Sequence, residues 1–165
     1  MPLKDALLVE YDHETATTRK LLERIPDDKL AYVPHSRSMA LGSLATHLAT
    51  IPLWADAVLN GVSFDLDAMP PRPDAKATSA EILRTFDETC SRVRSWMDRT
   101  DAELVAPWTL KRGGTEMFTL PRVAAFRTFV LNHLIHHRGQ LSVYLRLNDL
   151  PVPAMYGPSA DEGAM

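Results

Sequence analysis

The residues of this chain best suited to chemistry lie together in Asn132-His133-Leu134-Ile135-His136-His137-Arg138-Gly139-Gln140, a stretch that holds three of the six histidines. In a helix turning about 100° per residue, His133 and His137 stand about 40° apart on one face, one turn from each other. Two imidazoles so placed can share one metal ion. On the same wheel the apolar residues Val123, Phe126, Val130, Leu134, Leu141 and Tyr144 centre about 40° from His133, where His137 also falls, while His136 lies about 60° to the other side. Face geometry therefore selects His133 and His137 and leaves His136 at the rim. Two buried imidazoles a turn apart need partners for both nitrogens of each ring, and protonating both sets like charges side by side. A metal ion removes that conflict.

A third donor is available in His47, which falls inside the apolar stripe Leu44, Ile51, Trp54, Ala55 and Val58 of an earlier predicted helix. A histidine on such a face is more often a hydrogen-bonded core residue than a ligand, and on spacing alone both readings stand. With His47 the donor set becomes three neutral nitrogens, which describes the open coordination of a catalytic site better than a closed structural tetrahedron. No acidic residue of the last predicted helix stands on its inner stripe, which argues against a carboxylate-rich di-iron centre. Imidazole donors suit zinc, nickel, iron or copper, and their spacing does not choose among them. Gln140, about 20° from His133, can orient a ligand or meet a bound water. Cys90 is the sole cysteine, so an internal disulfide and a cysteine-based zinc motif are both excluded. Its place on an apolar stripe makes it a small buried hydrophobe.

The elements that must position these residues follow from periodicity. A first helix spans Pro2 to about Arg24, with Leu3, Leu7, Leu8, Tyr11, Thr15, Thr18 and Leu22 on one side and His13 on the solvent side. Pro26 and Pro34 break the pattern and leave His35 in a loop. A second helix covers about Ala40 to Asn60, with Ser38 as a possible cap, Gly61 closing it and Pro52 bending it one turn beyond His47. The stretch Val62 to Ala77 is proline-rich around Met69-Pro70-Pro71-Arg72-Pro73 and predicts a connection without a helix. A capping box at Thr78-Ser79-Ala80-Glu81 starts a third helix that runs to about Arg99. Trp108–Arg112 and Thr115–Thr119, joined by Gly113-Gly114, read as a β-hairpin. A fourth helix runs from Pro121 to about Asn148, with Gly139 its only breaker, and the Pro- and Gly-rich tail from Pro151 lies over the surface.

The fold these elements predict is all-α, a four-helix bundle with a small β-hairpin before the last helix, formed as a single domain over residues 1–165. A net charge of -3 with scattered Lys and Arg points away from nucleic acid and from an acidic membrane surface as partners. With neither a signal peptide nor an 18-residue apolar run, a soluble cytoplasmic protein is the expectation.

Leu44-Ala45-Thr46-His47-Leu48, together with His133-x-x-x-His137-Arg138-Gly139-Gln140 and the following Leu141-Ser142-Val143-Tyr144-Leu145-Arg146, resembles the DinB-like family over roughly residues 3 to 158. The resemblance implies an up-down-down-up bundle, commonly homodimeric, and a metal triad carried over onto His47, His133 and His137. It also implies kinship with thiol-dependent transferases. The function expected is therefore a divalent-metal-dependent enzyme acting on a small-molecule substrate. Its ion would bind a low-molecular-weight thiol for transfer or isomerisation, or activate water for hydrolysis. The alternative expectations are a non-catalytic, stress-associated metal-binding module whose ion stabilises the bundle, and a metal-free bundle with buried histidines.

Overall fold

The computed structural model of the chain describes residues 1–163. Its helices are α1 (Leu3–Leu22), α2 (Leu41–Thr50), α3 (Ser79–Trp96), α4 (Asp101–Val105), α5 (Arg122–Phe126) and α6 (His133–Leu147). A small sheet comprises β1 (Ser63–Asp65), β2 (Pro107–Arg112) and β3 (Thr115–Pro121). α1 packs against α3 and α6, and α2 packs against the same two helices from the other side.

The N-terminus of α2 is not capped by Ser38. Ala40 takes the cap position with no side-chain bond, and the free amides of Leu41 and Gly42 instead donate to the carbonyls of Tyr32 and Leu30 at 2.8 and 2.9 Å. That contact needs Gly42, since a Cβ there would meet the Leu30 carbonyl oxygen at 3.1 Å. At the other end Pro52 does more than bend the helix. The α-helix stops at Thr50, a 3₁₀ turn covers Ile51–Leu53, and a π turn covers Asp56–Asn60. The last carbonyls of this run lack helical donors, and side chains supply them: Trp108 Nε1 donates to Ala57 at 2.8 Å, and Arg122 donates to Val58 at 2.6 Å and to Gly61.

Two further expectations change. The last long segment is not one α-helix, because a π turn over Arg127–Asn132 separates α5 from α6. The connection after Gly61 is not featureless. Its β1 pairs in parallel with β2, Phe64 opposite Leu110, so the hairpin becomes a three-stranded sheet of order β1-β2-β3. The hairpin turn itself is as expected, with Gly113 and Gly114 at φ of 55° and 77°, left-handed values that glycine reaches without the cost a Cβ imposes. The Asp65 carboxylate accepts from both of their amides at 3.0 and 2.6 Å, which holds its pKa below the usual carboxylate range. Thr78 caps α3 through the Glu81 amide, but the Glu81 carboxylate turns to the Ala77 amide. The complete capping box belongs to Thr100 and Glu103, which start α4.

Apolar packing forms two cores. One is built from the C-terminal half of α1, α2, the start of α3 and α6; the other gathers the start of α1, the π turns, the end of α3 and the sheet. Cys90 touches both, and burial pushes its thiol up to about 12. Each fully buried Leu, Ile or Phe side chain in these cores is worth roughly 1.5–3 kcal/mol. The tail after α6 is fastened rather than loose, with Val152, Pro153 and Ala154 buried and Asp161 accepting from Val152 N at 2.8 Å and from Arg146. No helix among the described residues is long and apolar enough to cross a membrane.

Candidate metal centre

His47 comes from the last turn of α2, and His133 and His137 come from the first two turns of α6. The backbone is regular α-helix from His133 onward, so the 40° offset expected of an i, i+4 pair holds there and both rings face α2. One ligand atom from each of the three rings lies within 4.8 Å of the others, and no Asp, Glu or Cys joins this group among the described residues. His47 Nε2 and His133 Nε2 are 3.3 Å apart, and the ring centroids of His47 and His137 are 4.7 Å apart. Bonds of about 2.0–2.1 Å from imidazole to zinc imply nitrogens separated by about 3.3–3.4 Å along a tetrahedron edge. The donor set fits a late first-row divalent ion.

Protonation states agree with that fit. Burial, reinforced by the neighbouring imidazoles and Arg72, lowers the His47 pKa to about 4. Burial also lowers His133 and His137, opposed at His133 by a hydrogen bond to the Phe129 backbone and at His137 by Gln140. All three rings are thus neutral at pH 7, the form that binds metal. The Gln140 Oε1 atom lies 2.7 Å from His137 Nδ1 and only accepts, so Nδ1 carries the proton and Nε2 keeps its lone pair for an ion. Gln140 therefore orients a ligand, one of the two roles its wheel position allows. Its amide nitrogen is 3.2 Å from His136 Nε2, which ties the exposed His136 to the same cluster without making it a donor.

Other candidates resolve plainly. Tyr144 donates its hydroxyl to the Met39 carbonyl at 3.1 Å and packs edge-on against Tyr32, so it is a paired core aromatic. His13 and His35 are exposed and lie outside the cluster. Gly139 is not required by a close approach, since a Cβ there would meet nothing within 4 Å.

Beside His133 opens a cleft of about 460 Å³ whose apolar walls are Trp54, Leu66, Leu110 and Phe129, with Thr128, Asn132 and His136 at its polar edge. Phe129 stacks on Trp54 at 5.2 Å between centroids and also meets Trp108 at 5.5 Å. Phe129, one turn before His133, is presented to this wall from the π turn over Arg127–Asn132.

The model of the DinB family matches residues 1–164. This chain belongs to the DinB family. The uncharacterized protein YrdA of Bacillus subtilis (strain 168) is 28% identical over 167 residues, covering 97% of this chain and 92% of YrdA. Among solved structures, a DinB-like protein from Bacillus cereus ATCC 10987 superposes with a TM-score of 0.74 at 22% identity, covering 92% of this chain and 97% of the other. The DinB-like protein YjoA from Bacillus subtilis gives 0.67 at 20% identity, over 89% and 96% of the two chains. At these identities the two structures establish a shared DinB-like fold.

Three residues that matter were not singled out by spacing. Arg72 lies in the proline-rich connection, and its charge lowers all three imidazoles. Glu14 and Arg138 pair inside the protein at 2.6 Å, on the side of α6 turned towards α1.

Proposed function

We propose that this DinB-family chain is a metal-dependent enzyme whose ion is held by His47, His133 and His137. The observation that carries the reading is the convergence of three neutral imidazoles, half-buried and without a carboxylate, at the edge of an apolar cleft. When bound, the ion supplies Lewis acidity and stabilises a thiolate or an ionised water. The protein residues do the rest: Gln140 fixes the tautomer of His137, the Phe129 carbonyl braces His133, and the Trp54–Phe129 wall keeps water from one side of a substrate. His136 stands on the cleft wall beside His133 and is the group placed to move a proton there.

Within this reading a thiol-dependent transfer or isomerisation stands ahead of hydrolysis, and zinc or nickel ahead of iron. A small-molecule substrate, an up-down-down-up four-helix bundle, a single domain and a homodimer in the cytoplasm complete it. The pairing of α1 and α2 with the same two helices supports the bundle. A purely structural ion is a poorer reading, because both cores close without the site and no buried side-chain polar atom among the described residues lacks a partner.

The test is a panel of low-molecular-weight thiols with electrophilic acceptors, run beside ester and amide hydrolysis on metal-loaded protein. One activity, lost in His133→Ala with the fold intact, is the expected result. A tightly held ion without turnover and without a solvent-accessible coordination position would return the protein to the structural class.

A further inference from the structure

The segment Met69–Ala77 lies beside the N-terminal half of α2 as a strap, tied just before the helix and again next to His47. Arg72 Nη1 reaches Met39 Sδ at 3.0 Å before the helix, and the Lys76 amide donates to Thr46 Oγ1 at 2.9 Å within it. Three prolines, Pro70, Pro71 and Pro73, limit the backbone freedom of this strap. It therefore holds the Arg72 guanidinium at the N-terminal end of α2, on the side of His47 away from Trp54, and among the described residues no carboxylate lies within salt-bridge distance of that cation. The three imidazoles are neutral donors, so an ion between them would keep its whole charge, with a second cation, Arg72, on the neighbouring strap. Such a pair of positive centres repels unless an anion sits between them.

The rest of the site is ordered along the helices. On α2 the sequence runs from Met39 at the strap, through His47, to Trp54; on α6 and its preceding turn it runs from Tyr144, bonded to Met39, through His137 and His133, to Phe129. The strap and the aromatic cleft thus flank the triad at opposite ends. The cleft, about 460 Å³, falls within the roughly 300–1,000 Å³ of small-molecule sites, and stacked Trp54 and Phe129 give it a flat wall.

Resting on the metal-site reading above, we propose that the substrate carries an anionic group on one side of its reacting atom and a flat apolar group on the other. Arg72 receives the anion, and the Trp54–Phe129 cleft receives the apolar group. Arg72 is a specificity-determining residue, and the apolar group is chosen by stacking rather than by hydrogen bonds.

The experiment uses the full chain loaded with Co²⁺, whose visible absorption reports first on metal uptake and then on thiolate binding. Three probes are titrated: 2-benzyl-3-mercaptopropanoate, its primary amide, and 3-mercaptopropanoate, which lacks the ring. The carboxylate is expected to bind about tenfold or more tightly than the amide, the scale of one charge-assisted hydrogen bond. Arg72→Gln should erase that ratio with the amide affinity little changed, Arg72→Lys should keep part of it, and Phe129→Leu should reduce the advantage of the benzyl probe over 3-mercaptopropanoate. Equal binding of acid and amide, or equal weakening of both by Arg72→Gln, overturns the proposal while leaving the metal site standing. Failure of the wild-type chain to take up Co²⁺ overturns the metal reading and this inference with it.

Discussion

His137 and Arg138 are neighbours in sequence, yet α6 turns them into two opposite kinds of polar cluster. Arg138 is 1% exposed, and its guanidinium donates to the Glu14 carboxylate at 2.6 Å, the Glu14 carbonyl at 3.0 Å, Thr18 Oγ1 at 3.2 Å and the Tyr156 hydroxyl. The Tyr156 hydroxyl in turn donates to Glu14 at 2.8 Å. The network is electrically balanced and satisfied, with its charged pair buried, and it ties α1, α6 and the tail together. Across the helix, His47, His133 and His137 bring lone pairs to a common point with no carboxylate to balance an ion and with a cleft alongside. A closed network marks architecture, whereas converging unspent donors mark a place for a ligand.

The comparison breaks first at Arg138. Arg138→Ala leaves the Glu14 carboxylate buried without its cation and should cost about 3–5 kcal/mol, a large share of the roughly 5–15 kcal/mol that stabilises a typical domain. Urea unfolding measures this, and replacing Glu14 with Gln in the same chain should recover part of the loss. If Arg138→Ala were as stable as the parent, the architectural reading of that cluster would be wrong.

On the other face the expected losses are in binding. Gln140→Ala frees the His137 tautomer and should weaken metal affinity about 10- to 100-fold with little change in apo stability; competition with a chromophoric chelator reads this out. An effect on stability but not on affinity would move Gln140 into the architectural class.

Acid sharpens the contrast. Because burial lowers the His47 pKa from 6.5 to about 4, the unfolded chain binds a proton in that window that the folded chain refuses. Apo stability is therefore undiminished by this group above about pH 6.5 and falls as pH drops towards 4, with His133 and His137 lowered in the same direction. Urea melts at pH 7.5, 6 and 5 should show a shallower acid loss in His47→Gln than in the parent. Equal slopes would mean that the ring is not desolvated.

The smallest expected effect belongs to Gly139, on the same helix but in neither cluster. With open space where its Cβ would stand, Gly139→Ala should raise stability by about 0.5–1 kcal/mol and leave metal affinity unchanged.

The two clusters were not equally legible in the sequence. His133, His137 and the rim position of His136 follow from face arithmetic because α6 keeps a regular period from His133 onward. His47 was legible as an inward residue, and only packing turns it into a partner for residues 86 or more positions away. Just upstream the same arithmetic sets Phe129 about 40° from His133, but nothing in the period reveals the π turn over Arg127–Asn132 that carries it or the cleft it lines. Glu14 and Arg138 carry no sequence signal for each other because 124 positions separate them. Arg72 sits in a proline-rich loop without any period, and β1 is three residues long with its partner supplied from a distance. The Thr100-x-x-Glu103 box, by contrast, was present in the sequence as a helix start, but it opens a helix of only five residues.

The central claim is that His47, His133 and His137 hold one metal ion between them. The most direct measurement is elemental analysis of protein purified without a histidine tag, for the parent chain and for His47→Ala side by side. About one transition-metal ion per chain in the parent, lost in a folded His47→Ala, is the predicted result. No metal in the parent after incubation with zinc or nickel, or full occupancy in His47→Ala, would contradict it.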